Sequence, residues 1–310
     1  MEYKKKDLTG TKNLSAEEIL FILDTAKKLK EINSREIKKV PALKGKTIAT
    51  VFFEASTRTK NSFEVAAKRL SADTISVTSS YSSTLKGETL LDTVHNIRSM
   101  KTDIFIIRHP LSGAAKFVAD NIDTPVINAG DGTNEHPTQA LLDIFTIQEH
   151  KINLKGLNVA IIGDIDHSRV ARSDIWAMNK LGMNIKIFGP STMIPANIEP
   201  FGCSLASSIS DATRDADVIM MLRIQLERQS KLLLPSLREY ANFFGLNNKN
   251  LSYAKKDAII MHPGPINRGV ELNSDVADSP QSVILNQVES GVAVRMAILY
   301  LLGIQKRRNK

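Results

Sequence analysis

The tetrad Ser56, Thr57, Arg58 and Thr59 joins an apolar run, Thr47 to Phe53, to a stretch with Phe63, Ala66, Ala67 and Leu70 at helical spacing. Hydroxyls and a guanidinium at a helix start make an anion pocket. The first N–H groups have no intrahelical partner, the dipole end is positive, and arginine grips a phosphate through two parallel bonds. A capped helix with a solvated arginine uses the same residues, so the tetrad is weighed with the rest of the chain. Arg108, Arg169 and Arg223 also stand at the ends of apolar runs. Burying such cations without anions is costly, so together with Arg58 they imply a ligand with several negative charges. His136 precedes Pro137, which suits a first helical turn, and Gln139 lies three residues on. Both side chains can then reach one amide group, and a neutral imidazole polarises a carbonyl; a structural capping histidine is the alternative. The polar stretch Ser79 to Glu88 sets Lys86 beside Gly87, as suits a phosphate-reaching lysine. The histidines, at 95, 109, 136, 150, 167 and 262, include no pair at the spacing of a zinc helix, so no metal is expected. Gly163-Asp164 follows an apolar run but lacks the G-x-G-x-x-G spacing of a dinucleotide site, and no cofactor is expected.

Strand-like runs must position these groups. Thr47 to Phe53, Thr74 to Val77, Ile104 to Ile107, Val126 to Asn128, Val159 to Ile162, Ile185 to Phe188, Val218 to Leu222 and Ala258 to Met261 alternate with helical patterns. Such alternation predicts an α/β fold with parallel sheets. A helical segment from Pro137 to about His150 separates two sets of four runs, predicting two α/β domains, each a parallel sheet flanked by helices. The first is expected over residues 1–135 and the second over 150–287, with an apolar C-terminal helix, 288–306, packing back on the first domain. Ligands of open parallel sheets bind outside the carboxyl ends of the strands. Arg108-His109-Pro110, His136-Pro137-Thr138-Gln139, Arg169, Arg223-Ile224-Gln225 and His262-Pro263-Gly264-Pro265 all follow apolar runs in this way.

At 310 residues the chain has room for two cores, and 42% hydrophobic content is that of a globular protein rather than a disordered one. No apolar run approaches a membrane span, and Met1 to Asp7 carries no apolar stretch behind its charges, so a cytoplasmic protein without a membrane partner is expected. The single cysteine, Cys203, excludes an internal disulfide and is read as inert. A net charge of +8 raises the question of nucleic acid, but its clusters, Lys4 to Lys6 and Lys306 to Arg308, lie at the chain ends. With aromatics at 5% there are few stacking platforms, and small anionic substrates are expected instead of nucleic acid.

Taken in order, Phe53-Glu54-Ala55-Ser56-Thr57-Arg58-Thr59, Lys86-Gly87-Glu88-Thr89, Arg108-His109-Pro110, His136-Pro137-Thr138-Gln139, Arg223 to Arg228 and His262 to Pro265 resemble the aspartate carbamoyltransferase catalytic chains of the aspartate/ornithine carbamoyltransferase superfamily. The resemblance covers nearly the whole chain, and its motifs are specific as a set. It implies carbamoyl transfer from carbamoyl phosphate to L-aspartate in pyrimidine synthesis, with the first domain binding carbamoyl phosphate and the second aspartate. Position by position, it implies that Ser56, Thr57, Arg58 and Thr59 bind the phosphate. Arg108 would bridge phosphate and carbonyl oxygen, and His136 and Gln139 would hold the carbamoyl group. Arg169, Arg223 and Gln225 would bind the aspartate carboxylates, and the backbone of Pro263, Gly264 and Pro265 would line the site near the amine. Ser82 and Lys86 would enter from the neighbouring subunit of a homotrimer with shared sites. Such a trimer either works alone or joins separate regulatory chains, and both stay open at this point.

The nearest alternative is ornithine carbamoyltransferase, which shares S-T-R-T and H-P-T-Q but carries a cysteine in an H-C-L-P segment. Here that segment reads His262-Pro263-Gly264-Pro265, and Arg223 suits a second carboxylate while repelling a cationic side chain. A non-catalytic anion-binding homologue is the other alternative, opposed by the presence of Arg58, Lys86, Arg108 and His136.

Overall fold

The structure, a computed structural model, describes residues 3–78, 88–224 and 236–305. The chain divides into one unit of Met1–Leu141 with Glu289–Lys310 and a second of Leu142–Val288.

In the first unit, α1 (Ala16–Lys30) starts from a capping box, Ser15 and Glu18 each satisfying the other's backbone N–H. Strands β1 (Thr47–Phe52), β2 (Asp73–Thr78), β3 (Ile104–His109) and β4 (Val126–Asp131) alternate with α2 (Thr57–Arg69), α3 (Leu90–Ser99) and α4 (Ala114–Asn121). All pairings are parallel and the order is β2-β1-β3-β4. Central β1 and β3 are almost wholly buried, whereas the edge strand β2 is half-exposed. Ala49, Val51, Phe105, Ile107 and Val126 form a core with Val94 and Ile97 of α3 and Ala115, Val118 and Ala119 of α4. The order places a switch point between β1 and β3: from β1 the chain crosses to β2 on one side, and β3 continues on the other.

The second unit begins within α5 (Pro137–His150). Its strands are β5 (Asn158–Ile162), β6 (Asn184–Phe188), β7 (Ser204–Leu205), β8 (Val218–Met221) and β9 (Ile259–Met261), and its helices α6 (Arg169–Lys180), α7 (Ile209–Thr213), α8 (Leu237–Phe244), α9 (Asn248–Leu251) and α10 (Ser274–Ala277). The sheet is parallel, ordered β7-β6-β5-β8-β9, with its switch point between β5 and β8. Ala160, Ile162, Ile219, Met221 and Ile260 pack with Leu246, Leu251, Leu272 and Val276.

Three expectations change. The second sheet gains β7, an exposed two-residue edge strand too short to leave a period in the sequence. Arg108 and His109 are the last residues of β3, not the loop after it. The C-terminal helix α11 runs Ile284–Gly303 and so begins earlier than 288. Its later part packs on the first unit, where Arg295 Nη1 donates to Ser62 Oγ at 2.9 Å and its guanidinium lies 5.1 Å from the Phe63 ring centroid. The division between the units falls within α5 and α11. Among the described residues, no helix is long and apolar enough to cross a membrane.

Candidate active site

The candidate residues divide between the two units: Ser56 to Thr59 with Arg108, and Arg169 with Arg223, flank the two switch points, whereas His136 and Gln139 follow the edge strand β4 and Pro263 to Pro265 the edge strand β9. In the first unit, Phe52 of β1 stands in register with Arg108 of β3, and Phe53 N–H donates to Arg108 O at 2.8 Å. The turn after β1 therefore lies beside the end of β3. Ser56 occupies the N-cap of α2, yet its hydroxyl makes no capping bond, which separates this turn from an ordinary capped helix. Thr59 is buried, Ser56 partly so, and Thr57 and Arg58 are exposed. Arg58 lies in the first turn of α2.

Arg108 is buried. Its Nη2 meets Glu54 Oε1 at 2.6 Å and its Nη1 donates to Ala129 O at 3.1 Å. The fork is thus held by a carboxylate from the turn after β1 and a carbonyl from β4. His109, its ring tilted against Phe53 with centroids 5.1 Å apart, is held below the usual imidazole range by burial.

His136 is 3% exposed and closes the loop that leads into α5; Gln139 N–H donates to its carbonyl at 2.9 Å. Thr138 Oγ1 lies 3.4 Å from its Nδ1. The loop itself is built by two acids to which the sequence reading gave no role. Asp131 accepts from Gly113 N–H at 2.7 Å, Asn128 Nδ2 at 2.7 Å and Glu135 N–H at 3.2 Å. Glu135 accepts from Thr11 N–H at 2.6 Å, Thr11 Oγ1 at 2.8 Å and Lys12 N–H at 3.3 Å. A side chain at Gly10 would meet Glu135 Oε1 at 2.2 Å, so the two segments touch through glycine. The G-D-G-T-N-E-H run, polar yet ending at a helix start, carried the available signal. Glu135→Gln is expected to destabilise the protein by about 1–3 kcal/mol, because a neutral amide leaves part of the donor set unmatched. Chemical denaturation checks it, and an unchanged midpoint and slope would refute this tether.

In the second unit, Ile162 of β5 is in register with Met221 of β8, and Leu222 N–H donates to Ile162 O at 2.8 Å. Gly163 follows β5 with φ at +135°, and a Cβ there would stand 2.9 Å from Leu222 Cβ. Close packing of strand ends accounts for this glycine without any dinucleotide. Asp164 then accepts from His167 N–H at 3.1 Å and lies 2.9 Å from His167 Nδ1. This folds the loop back to Ser168, whose hydroxyl caps α6 by accepting from Ala171 N–H. Arg169 is the first residue of α6 and is buried; Arg223, partly buried, stands two residues past the end of β8, after Leu222. After β9 come Pro263 and Gly264, partly buried, and Pro265, exposed. Gly264 has φ at +64°, the left-handed region that favours glycine. Ser82, Lys86 and Gln225 lie outside the described residues. Cys203 is partly buried, which pushes its thiol up.

Each unit thus presents cationic groups at the carboxyl end of its own sheet, the first also with hydroxyls and an imidazole, the second with a proline-rich backbone. Known proteins carry the same arrangement of sequence. Residues 6–149 match the family described as aspartate/ornithine carbamoyltransferase, carbamoyl-P binding domain, and residues 155–302 that described as aspartate/ornithine carbamoyltransferase, Asp/Orn binding domain. The aspartate carbamoyltransferase catalytic subunit of Campylobacter concisus is 60% identical over 305 residues, which is 98% of this chain and 99% of that one. Among solved structures, ornithine carbamoyltransferase from Pyrococcus furiosus superposes with a TM-score of 0.86 at 31% identity, covering 97% of this chain and 98% of that chain. Aspartate transcarbamoylase from Trypanosoma cruzi, in complex with carbamoyl phosphate and aspartate, does so with a TM-score of 0.84 at 29% identity, covering 96% of each. With both domain families matched in order and a relative this similar along nearly its full length, the chain belongs to the aspartate/ornithine carbamoyltransferase family.

Proposed function

We propose that this chain transfers the carbamoyl group of carbamoyl phosphate to the α-amino group of L-aspartate, releasing N-carbamoyl-L-aspartate and phosphate, at the first committed step of pyrimidine synthesis. The observation that carries the reading is the pair Arg169 and Arg223 at the second switch point, two cations suited to a dicarboxylate and unsuited to an ornithine side chain. The Campylobacter concisus relative, far closer in sequence than the ornithine carbamoyltransferase structure, supports the same choice.

In this reading Ser56, Thr57, Arg58 and Thr59 take the phosphate at the start of α2, where unpaired N–H groups and the helix dipole add to the side chains. Arg108 bridges phosphate and carbonyl oxygen, and His136 with Gln139 holds the carbamoyl group. Arg169, Arg223 and Gln225 bind the aspartate carboxylates, and Pro263, Gly264 and Pro265 line the path of the amine. The amine attacks the carbamoyl carbon, negative charge grows on the carbonyl oxygen, and Arg108, His136 and the Thr59 hydroxyl stabilise it. The C–O bond to phosphate then breaks, and the leaving phosphate takes the amine proton. Positioning and electrostatics supply the rate, with no protein nucleophile. Ser82 and Lys86 complete the site from a neighbouring subunit of a cytoplasmic homotrimer.

The test is carbamoyl-phosphate-dependent product formation with L-aspartate and, in parallel, L-ornithine, detecting carbamoyl-aspartate or citrulline. Turnover with aspartate alone is the expected result. Turnover with ornithine would overturn the assignment of Arg169, Arg223 and Gln225 while leaving the phosphate residues in place.

A further inference from the structure

Behind the Pro263–Pro265 backbone lies a chain of buried polar groups whose hydrogen bonds determine where each proton sits. His262, Glu271, Gln287 and Asp143 are all at most 3% exposed. The His262 ring accepts from Gly264 N–H at Nδ1, over 2.7 Å. A ring nitrogen that accepts holds no proton, so the imidazole carries its proton on Nε2 and gives it to Glu271 Oε1 at 3.2 Å. The same carboxylate oxygen accepts from Asn267 N–H at 2.8 Å. On the other side, His262 N–H donates to Gln287 Oε1 at 2.9 Å, and Gln287 Nε2 donates to Asp143 Oδ1 at 2.6 Å. That amide has one workable orientation, because a backbone N–H can only donate.

The segment is therefore pinned at 262, 264 and 267. Its prolines have no N–H, and Gly264 and Asn267 spend theirs on the His262–Glu271 pair. Among the described residues, no hydrogen bond reaches the carbonyls of Pro263, Gly264 or Pro265. A strip of backbone whose donors are tied behind it and whose acceptors remain available suits an amino group. We propose that His262 is a positioning residue for the amino-acid substrate: its ring, held by Glu271, sets the Pro263–Gly264 backbone through Gly264 N–H without touching the substrate. The inference rests on the assignment of this backbone to the amine under the proposed function.

Two substitutions separate the ring's two bonds. In His262→Asn, the side-chain oxygen replaces Nδ1 and keeps the acceptor for Gly264 N–H while the link to Glu271 is lost. In His262→Gln, the amide nitrogen replaces Nε2 and keeps the link to Glu271 while the acceptor is lost. His262→Gln is expected to raise the KM for aspartate about 10- to 100-fold, the scale of a small misplacement of a binding group, with the KM for carbamoyl phosphate within about twofold. His262→Asn is expected to keep the aspartate KM within about threefold, even where its thermal midpoint falls. Should both fail to fold, Gln287→Met, which removes the clamp from the far side, is expected to raise the aspartate KM about three- to tenfold on its own. An unchanged aspartate KM in folded His262→Gln or Gln287→Met overturns the proposal. So does a parallel rise in both KM values in step with lost stability, which marks a purely structural histidine. If the parent protein turns over a different amino acceptor, the proposed function fails instead, and the same variants are read with that acceptor.

Discussion

Arg108→Ala is expected to lower turnover about 100- to 1,000-fold, the loss that follows removal of one preorganised donor from a developing oxyanion, roughly 3–4 kcal/mol. The side chain is buried at the end of β3 and is already held by Glu54 and Ala129 O before any substrate arrives. Its orientation therefore costs nothing at the moment of reaction. Arg108→Lys is expected to recover little, because an ammonium is a point charge and cannot bridge two oxygens as the planar fork does. Both variants remove the Arg108 Nη2 bond to Glu54 Oε1, so some stability is lost as well. Steady-state kinetics at saturating substrates, beside a denaturation curve, separates the two effects. Turnover within a few-fold of the parent in a folded Arg108→Ala protein would remove Arg108 from the chemistry.

Asp174→Asn is expected to stabilise the protein by about 1–3 kcal/mol at the alkaline end of its range and to change little at the acidic end. Asp174 lies in α6 with no exposure, and neither carboxylate oxygen meets a hydrogen-bond donor. Burial first, and the neighbouring Asp143 second, push its pKa well above the usual carboxylate range. Asp143 accepts from Gln287 whereas Asp174 meets no donor, so Asp174 is the one that keeps the proton. The folded state thus binds that proton more tightly than the unfolded chain does. Its contribution is complete below the unfolded carboxylate value and is lost as pH rises through the folded one. Asparagine has no proton to lose and offers its N–H groups to Asp143 at every pH. Urea denaturation of both proteins across pH 5 to 9 is the measurement. If the difference between variant and parent does not grow with pH, Asp174 is not the titrating group.

Neither Asp174 nor Glu135 announces itself in the sequence. Each is one acid in a polar or amphipathic stretch, and what makes it consequential is the segment packed against it, Asp143 from α5 in one case and Thr11 and Lys12 from the amino-terminal segment in the other. His262 was visible only as part of a motif, because its partners Glu271 and Gln287 are 9 and 25 residues away. Conversely, Gly163 looked like half a nucleotide signature and proves to be the glycine that lets Leu222 approach the end of β5.

The sequence by itself determined the elements and the chemistry available to them. Runs of β-branched residues are strands wherever they pair, Ser15 with Glu18 and Thr89 with Asp92 start helices through local bonds, and arginines at the strand ends call for anions. These are short-range properties, set within one turn or one strand. Only the tertiary structure decided which strand ends become neighbours. The orders β2-β1-β3-β4 and β7-β6-β5-β8-β9 bring Ser56 to Thr59 beside Arg108, and the loop to Arg169 beside Arg223. Strand order depends on which apolar faces the helices can cover across more than fifty residues of chain, for β1 and β3 as for β5 and β8. No local pattern encodes that choice, because the free energy that makes it is released only when the whole core closes.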